Sequence, residues 1–266
     1  MENRTKHYLQ KFIVHKLLGK RFYSKIKFLK IYLKAKLGSN YEISNILLNV
    51  LKNDDVFFDV GANIGQYIIR IKNRFEEGVF IYAFEPVLSN YNILSNYVSK
   101  KCQNVILENV AVSDIEGTDL IYIPLIDGIE IDTQASIDYE NRKNYYNDFA
   151  KHEVQKITID NYVKSNGINK IDYLKIDTEG NDEKVIKGAL ESIIKYMPVI
   201  FSEDMESMET TNKLYALGYN RFLLNKEYKL VYYKDDKPNN VFNDLFIFIP
   251  EDKINIFKEY LLNNIQ

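Results

Sequence analysis

Val56-Phe57-Phe58-Asp59-Val60-Gly61-Ala62-Asn63-Ile64-Gly65-Gln66-Tyr67 is the stretch that decides the fold. Val56–Val60 carries the β-branched and aromatic side chains of a buried strand, and the run from Ile64 has helical spacing. Between them, Gly61 and Gly65 permit unusual φ values and a close approach of other atoms to the backbone. Strand, tight turn and helix together form the opening unit of an open parallel sheet, in which a nucleotide lies against the carboxyl end of the first strand. A plain strand-to-helix turn would use the same two glycines, so the reading needs a second signal.

That signal is Ile81-Tyr82-Ala83-Phe84-Glu85-Pro86. It places a carboxylate at the end of the next strand, where it can accept hydrogen bonds from ribose hydroxyls. Pro86 ends the strand by fixing φ and removing a donor. A third element follows the next strand, Asn109-Val110-Ala111-Val112-Ser113-Asp114. Its small and apolar groups can flank an adenine, and Asp114 is either an acceptor for the adenine amine or a turn former before Gly117. A dinucleotide site wants G-x-G-x-x-G, with a pyrophosphate on the helix N-terminus, but here Asn63 stands at the middle glycine. Asp59, just before the turn, suits the ammonium and sulfonium of S-adenosylmethionine (SAM) better than a pyrophosphate. The candidate cofactor contacts are therefore Asp59, Gly61, Asn63, Gly65, Gln66, Tyr67, Glu85, Pro86, Asn109, Ala111, Val112 and Asp114, with Asp177 from a later strand.

Outward from this site, short apolar runs alternate with helical patterns, as expected of right-handed crossovers that build a parallel sheet. Seven strands are expected, at Val56–Val60, Phe80–Phe84, Val105–Val110, Tyr173–Ile176, Val199–Ser202, Arg221–Leu224 and Leu245–Ile249. Helices are expected over Ile64–Arg74, Ser89–Lys100, Asp182–Tyr196 and Glu206–Leu217, on both faces of a seven-stranded, mostly parallel sheet. Short strands near Leu120–Ile123 and Val154–Ile157 bracket a polar stretch. No internal repeat or linker divides the chain, so residues 39–266 read as one domain.

Composition narrows the class. With 46% apolar and 27% charged residues, the 266-residue chain lies far from the signature of disorder. Its single cysteine, Cys102, excludes an intramolecular disulfide and a cysteine-rich metal site. No apolar run reaches the roughly 20 residues of a membrane span, and a signal peptide is not recognisable, so a cytoplasmic location is expected. The net charge of −2 hides an asymmetry: residues 1–37 hold eleven Lys and Arg against Glu2 alone. The remainder, with 24 basic and 36 acidic residues, carries −12. Residues 1–38 read as a basic helical extension, either packed on the main domain or in peripheral contact with an anionic membrane surface. A nucleic-acid partner is not expected, and the oligomeric state is not legible.

The reaction end is read from Tyr173-Leu174-Lys175-Ile176-Asp177-Thr178-Glu179-Gly180-Asn181-Asp182, a strand that ends in an acidic turn before a helix. Asp177 and Glu179 fall where ligands bind in open α/β sheets. Asp177, Glu179 and His152 are the candidate catalytic groups, as proton acceptors within hydrogen-bond reach of an acceptor hydroxyl. Asp177, Glu179, Glu203 and Asp204 are also hard oxygen ligands of the kind that hold Mg²⁺, but no required metal is expected.

These motifs together resemble the FkbM-type SAM-dependent methyltransferases. The matching residues are Asp59–Gly65, Ala83–Pro86, Ala111–Asp114, Ile157-Thr158-Ile159-Asp160-Asn161-Tyr162, Leu174–Gly180, Gly188-Ala189, Pro198 and Glu203, in the family's order over about residues 55–205. Asn181-Asp182 departs from a more usual Ala-Glu, and Asn161 stands where a second Asp is common. The resemblance implies a Rossmann-like class I methyltransferase fold, SAM as methyl donor, and an oxygen acceptor on a sugar, polyketide or other small molecule. The expected activity is O-methylation of a sugar hydroxyl of a surface glycan or its precursor. The alternatives are a polyketide or other metabolite acceptor, an NAD(P)-linked oxidoreductase, or a binding scaffold that has lost its chemistry.

Overall fold

The computed structural model describes residues 25–26, 28–33, 42–203, 205, 207–225, 227–234 and 241–262, with the backbone alone at 42–44 and 241–244. Most of the expected basic extension, together with Asp204 and Glu206, lies outside these residues. Residues 28–33 are helical, and the rings of Phe28 and Tyr32 pack on Tyr97 at 5.7 and 6.0 Å. No helix among the described residues is long and apolar enough to cross a membrane.

In chain order, the described strands are β1 (Val56–Val60), β2 (Phe80–Phe84), β3 (Val105–Glu108), β4 (Ala111–Val112), β5 (Gly117–Ile126), β6 (Ile129–Glu130), β7 (Phe149–Ile157), β8 (Tyr173–Ile176), β9 (Val199–Ser202), β10 (Tyr219–Asn225), β11 (Leu230–Tyr232) and β12 (Val241–Pro250). The helices are α1 (Glu42–Val50), α2 (Gln66–Phe75), α3 (Leu88–Lys101), α4 (Tyr139–Arg142), α5 (Ile159–Ser165), α6 (Asp182–Lys187), α7 (Leu190–Tyr196) and α8 (Met208–Ala216).

The main sheet has the order β11-β10-β12-β9-β8-β1-β2-β3. The pairings from β9 through β3 are parallel, and β12 runs antiparallel to both β9 and β10. The strand order reverses at β1, so the carboxyl ends of β1, β2 and β8 open a crevice where an α/β sheet takes its ligand. All seven expected strands lie in this sheet. The eighth, β11, folds back on β10 through the register Phe222↔Tyr232.

Helices cover both faces. One core unites Ile46 and Leu47 of α1, Ile68 and Ile69 of α2 and Leu94 of α3 with Phe57, Ile81 and Phe201. The opposite core unites Ile159 of α5, Val185 of α6, Ile193 of α7 and Leu214 of α8 with Phe58, Leu174 and Ile200. The single helix expected over 182–196 is two helices, α6 and α7. They part at Gly188, where a Cβ would stand 2.1 Å from the Ser113 carbonyl oxygen. Asp160 then caps α7, accepting the N–H groups of Glu191 and Ser192 at 3.0 and 2.8 Å.

The two short strands expected around the polar stretch are much longer and form a second sheet, β4-β7-β5-β6. β5 and β7 pair antiparallel from Gly117↔Lys156 to Pro124↔Phe149. Ile121, Ile123 and Val154 on their inner face close on Val87 and Ala111, which seats this sheet beside the crevice. The segment joining β5 to β7 is thereby carried across the crevice as a strap.

Candidate cofactor and reaction site

The turn after β1 is held to the end of β2. The N–H groups of Gly61 and Ala62 both donate to the Phe84 carbonyl at 3.0 Å. Gly61 has φ +76°, and a Cβ there would lie 1.9 Å from the Asp177 carbonyl oxygen. Only glycine lets the ends of β1 and β8 approach so closely. Asn63, also left-handed at φ +51°, donates its N–H to Glu85 Oε2 at 2.7 Å. Glu85 Oε1 accepts from the Val87 N–H at 2.9 Å and from Asn90 Nδ2 at 3.3 Å. Burial pushes the Glu85 carboxyl up to about 7, against the lowering pull of these hydrogen bonds. A carboxylate has about four acceptor positions, so one on Oε2 is left for a ligand.

Asp59 stands elsewhere than expected. Its side chain is fully buried and faces Lys175, its direct neighbour on β8, with Nζ 3.2 Å from Oδ1. The same ammonium lies 3.4 Å from Asp177 Oδ2, donates to the Gly61 carbonyl at 2.9 Å, and sits 5.3 Å above the Tyr67 ring. Burial works against the Lys175 charge, but Asp59 and Asp177 outweigh it and hold the amine protonated. The anionic charge expected to meet the cofactor's cation is thus taken up inside the protein. Lys175 ties the cofactor turn to the acidic turn.

Asp182 organises the acidic turn. It is buried and accepts from the Thr178 N–H at 3.0 Å, Thr178 Oγ1 at 2.5 Å, Ser202 Oγ at 2.8 Å and the Glu203 N–H at 3.1 Å. Glu179 follows at φ +56°, a conformation uncommon outside glycine and frequent at functional sites. Its carboxylate meets the strap: Arg142 Nη2 lies 3.1 Å from Oε2, and Gln134 Nε2 donates to Oε1 at 2.6 Å. Burial, then the neighbouring Asp177, pushes Glu179 up to about 7, while Arg142 pulls the other way.

Of the residues expected at the cofactor, Gly61, Asn63, Glu85, Pro86, Ala111, Val112 and Asp177 line the crevice, with Glu179 at the same wall and Asp132, Thr133, Ala135, Ser136 and Ile137 of the strap as roof. Asp59, Gly65, Gln66, Tyr67 and Asp114 do not. Gly65 is instead a packing glycine, since a Cβ there would lie 2.3 Å from Leu94 of α3. Asp114 accepts from Ser113 Oγ at 3.1 Å. Asn109 donates to the Glu85 and Pro86 carbonyls at 2.8 and 3.1 Å and lines an adjoining groove. His152 belongs to that groove as well, largely exposed on β7 and 3.8 Å from Glu130, and is not brought together with Asp177 and Glu179. Lys175, Gln134 and Arg142 were not singled out in the sequence, and Asn181 only as a departure from the family pattern. For Lys175 a signal existed: a lysine inside an apolar strand needs a buried counter-charge.

Among the described residues, two buried acceptors on the crevice lining have no donor, Oδ1 of Asn181 and Oδ1 of Asp132. Asn181 is held by its other end, donating to the Val112 carbonyl at 2.9 Å. A buried acceptor without a donor is costly. Together with Glu85, these walls fit a ligand rich in donors, as SAM is through its ammonium, ribose hydroxyls and adenine amine. Val110, Val112, Ile121 and Ile137 add an apolar lining for a flat ring.

Comparison with known proteins finds similarity to methyltransferases. The hexuronic acid methyltransferase AglP of Haloferax volcanii is 24% identical over 160 residues, 59% of this chain and 60% of that protein's length. Among solved structures, methyltransferase FkbM from Methylobacillus flagellatus is 14% identical with a TM-score of 0.46, covering 73% of this chain and 43% of that one. A SAM-dependent methyltransferase from Aquifex aeolicus is 12% identical with a TM-score of 0.40, covering 84% and 97%. The model of the methyltransferase FkbM domain matches residues 59–230, more than half of the sequence. The chain belongs to the FkbM family of methyltransferases, with S-adenosylmethionine as its methyl donor.

Proposed function

We propose that the protein methylates a hydroxyl group on a sugar of a glycan or glycan precursor, with Glu179 as the proton acceptor. The observation that carries this reading is the Glu179 carboxylate at the crevice wall, held through both oxygens by Arg142 and Gln134 and pushed up to about 7 by burial and Asp177. A general base works best when its pKa lies near the operating pH, and a proton acceptor is needed where the acceptor atom is a hydroxyl oxygen. The similarity to a hexuronic acid methyltransferase supports a sugar as the bearer of that hydroxyl.

SAM supplies an electrophilic methyl group on a sulfonium. In this reading Glu85 accepts from the ribose, Asn181 Oδ1 and Asp132 Oδ1 take donors of the same ligand, and the turn at Gly61–Asn63 carries the methionine end. The strap excludes water from above. Asp177, anchored by Lys175, fixes the wall on which Glu179 stands. Glu179 takes the hydroxyl proton onto its carboxylate as the oxygen is methylated, and passes it to solvent at the mouth of the crevice.

Glu85→Ala is expected to weaken SAM binding by about 1–3 kcal/mol, the usual worth of a hydrogen bond to a charged group. In the wild type, binding should tighten as pH rises through about 7, because the ribose hydroxyl needs the ionised form. Before ligand binds, the raised value has the opposite sign for stability: the native state keeps a proton between about 4.5 and 7 that the unfolded chain has lost, so stability falls across that window as pH rises. Calorimetric titration with S-adenosylhomocysteine at several pH values checks the binding part, and an unchanged dissociation constant in Glu85→Ala removes the ribose assignment. The acceptor class is tested by incubating the protein with methyl-labelled SAM and hexuronic-acid oligosaccharides beside neutral ones. Label in an ether-linked methyl of a sugar supports the proposal, whereas label in a carboxyl ester or only in non-sugar metabolites overturns it.

A further inference from the structure

The strap between β5 and β7 does more than roof the crevice. Arg142, whose side chain is 8% exposed, sends three nitrogens into one small network. Its Nε donates to the Glu179 carbonyl at 3.0 Å, its Nη2 pairs with Oε2 of the same residue at 3.1 Å, and its Nη1 donates to Gln134 Oε1 at 3.2 Å. Gln134 completes the ring by donating to Glu179 Oε1 at 2.6 Å, and Tyr146 donates to Gln134 Oε1 at 3.4 Å. Both carboxylate oxygens of one residue are thus fixed, each with an acceptor position remaining. The left-handed turn at Glu179 and Gly180, φ +56° and +101°, lets one guanidinium reach both the carbonyl and the carboxylate of Glu179.

We propose that Arg142 and Gln134 are positioning residues for Glu179, so that the strap is part of the reaction site as well as its cover. The proposal rests on the reading of Glu179 as proton acceptor. A latch that served the fold alone could close on any residue of the turn. This one closes on the carboxylate that lines the crevice. The charges facing Glu179 make the cation necessary: Asp177 on its own turn and Asp182 at the start of α6 each disfavour its ionisation, as does burial, and Glu203 after β9 is a further acid that Glu179 itself pushes up. Arg142 is the cation that pulls the other way. Without it Glu179 holds its proton at neutral pH and cannot accept another. Arg142 thereby sets the pH at which the site works, and with Gln134 it sets the direction in which the free acceptor positions point.

The test uses the full chain labelled with ¹³C in its glutamate carboxyl groups, the Glu179 signal being identified by its loss in Glu179→Gln. In the wild type its titration midpoint is expected near 7. In Arg142→Gln the midpoint should rise by one pH unit or more, a tenfold change in acid constant, and Arg142→Lys should lie between. Gln134→Leu, which removes a donor but no charge, should shift it upward less. Affinity for S-adenosylhomocysteine should stay within threefold in each variant, whereas turnover at pH 7 falls at least tenfold in Arg142→Gln and recovers above the new midpoint. An unmoved midpoint overturns the proposal, as does a shifted midpoint with turnover unchanged at pH 7. Full turnover in Glu179→Gln instead sinks the reading of Glu179, and the titration of Arg142→Gln distinguishes the two failures.

Discussion

Replacing Lys175 by methionine is expected to destabilise the protein by about 3–5 kcal/mol, the cost of leaving a buried charge without its partner. The side chain that loses its partner is Asp59, 0% exposed, whose carboxyl is pushed up by burial and pulled down by Lys175. In the variant only the upward push remains. Asp59 then carries a folded-state pKa far above its unfolded value of 3.8, so the variant is near wild-type stability in acid and loses stability as pH rises through the raised value. Urea unfolding at several pH values reads both the size and the sign. Adding Asp59→Asn to Lys175→Met removes the stranded charge and should recover most of the loss, giving a double-mutant coupling of several kcal/mol. A Lys175→Met protein as stable as wild type across the whole pH range would mean that the ion pair at 3.2 Å contributes nothing. The site should suffer as well. Lys175 donates to the Gly61 carbonyl and lies beside Asp177, so its loss loosens the two turns that form the crevice floor.

The architecture was legible because its signals are local. Val56–Val60, Phe80–Phe84 and Tyr173–Ile176 are short apolar runs bounded by turn residues, and the acids that end them mark the carboxyl edge of the sheet. Glu85 and Glu179 stand at that edge and line the crevice. The second sheet was not legible, because its ladder joins residues as far apart as Gly117 and Lys156. Its outer face is polar too, with Thr118, Lys151, Glu153 and Gln155 diluting the alternation to two fragments. β11 escaped because three residues at a sheet edge carry almost no pattern. The helix over 182–196 looked continuous because its apolar spacing is continuous, and the groups freed at the break are taken up from outside by Asp160, whose N–H donates to the Gly188 carbonyl and whose carboxylate accepts from Glu191 and Ser192. Asp59 was expected at the cofactor for a related reason. A carboxylate beside a cofactor turn invites a cationic ligand, but here the cation is a lysine one strand away in matching register. Arg142 and Gln134 lie in the polar stretch, where nothing local separates a ligand-facing side chain from a solvated one.

The other large effect is expected at Glu179. Changing it to glutamine preserves size and keeps one acceptor for Arg142 or Gln134, but removes the group that takes the proton. A positioned base contributes roughly 10²–10⁴-fold, so turnover should fall by that factor while affinity for S-adenosylhomocysteine changes little. The pH profile carries the decisive information. Burial, first, and then Asp177 set the Glu179 carboxyl near 7, so wild-type turnover with a hydroxyl acceptor should be low in acid and rise through that pH as the base form appears. In Glu179→Gln that rise should vanish, and residual turnover should follow the acceptor's own ionisation at much higher pH. Asp177→Asn is the control that separates the two carboxylates. It removes a negative charge beside Glu179, so the rise should remain but move to lower pH. If instead Asp177→Asn abolishes the rise and Glu179→Gln leaves it in place, the proton goes to Asp177, and Glu179 serves to hold the strap over the crevice.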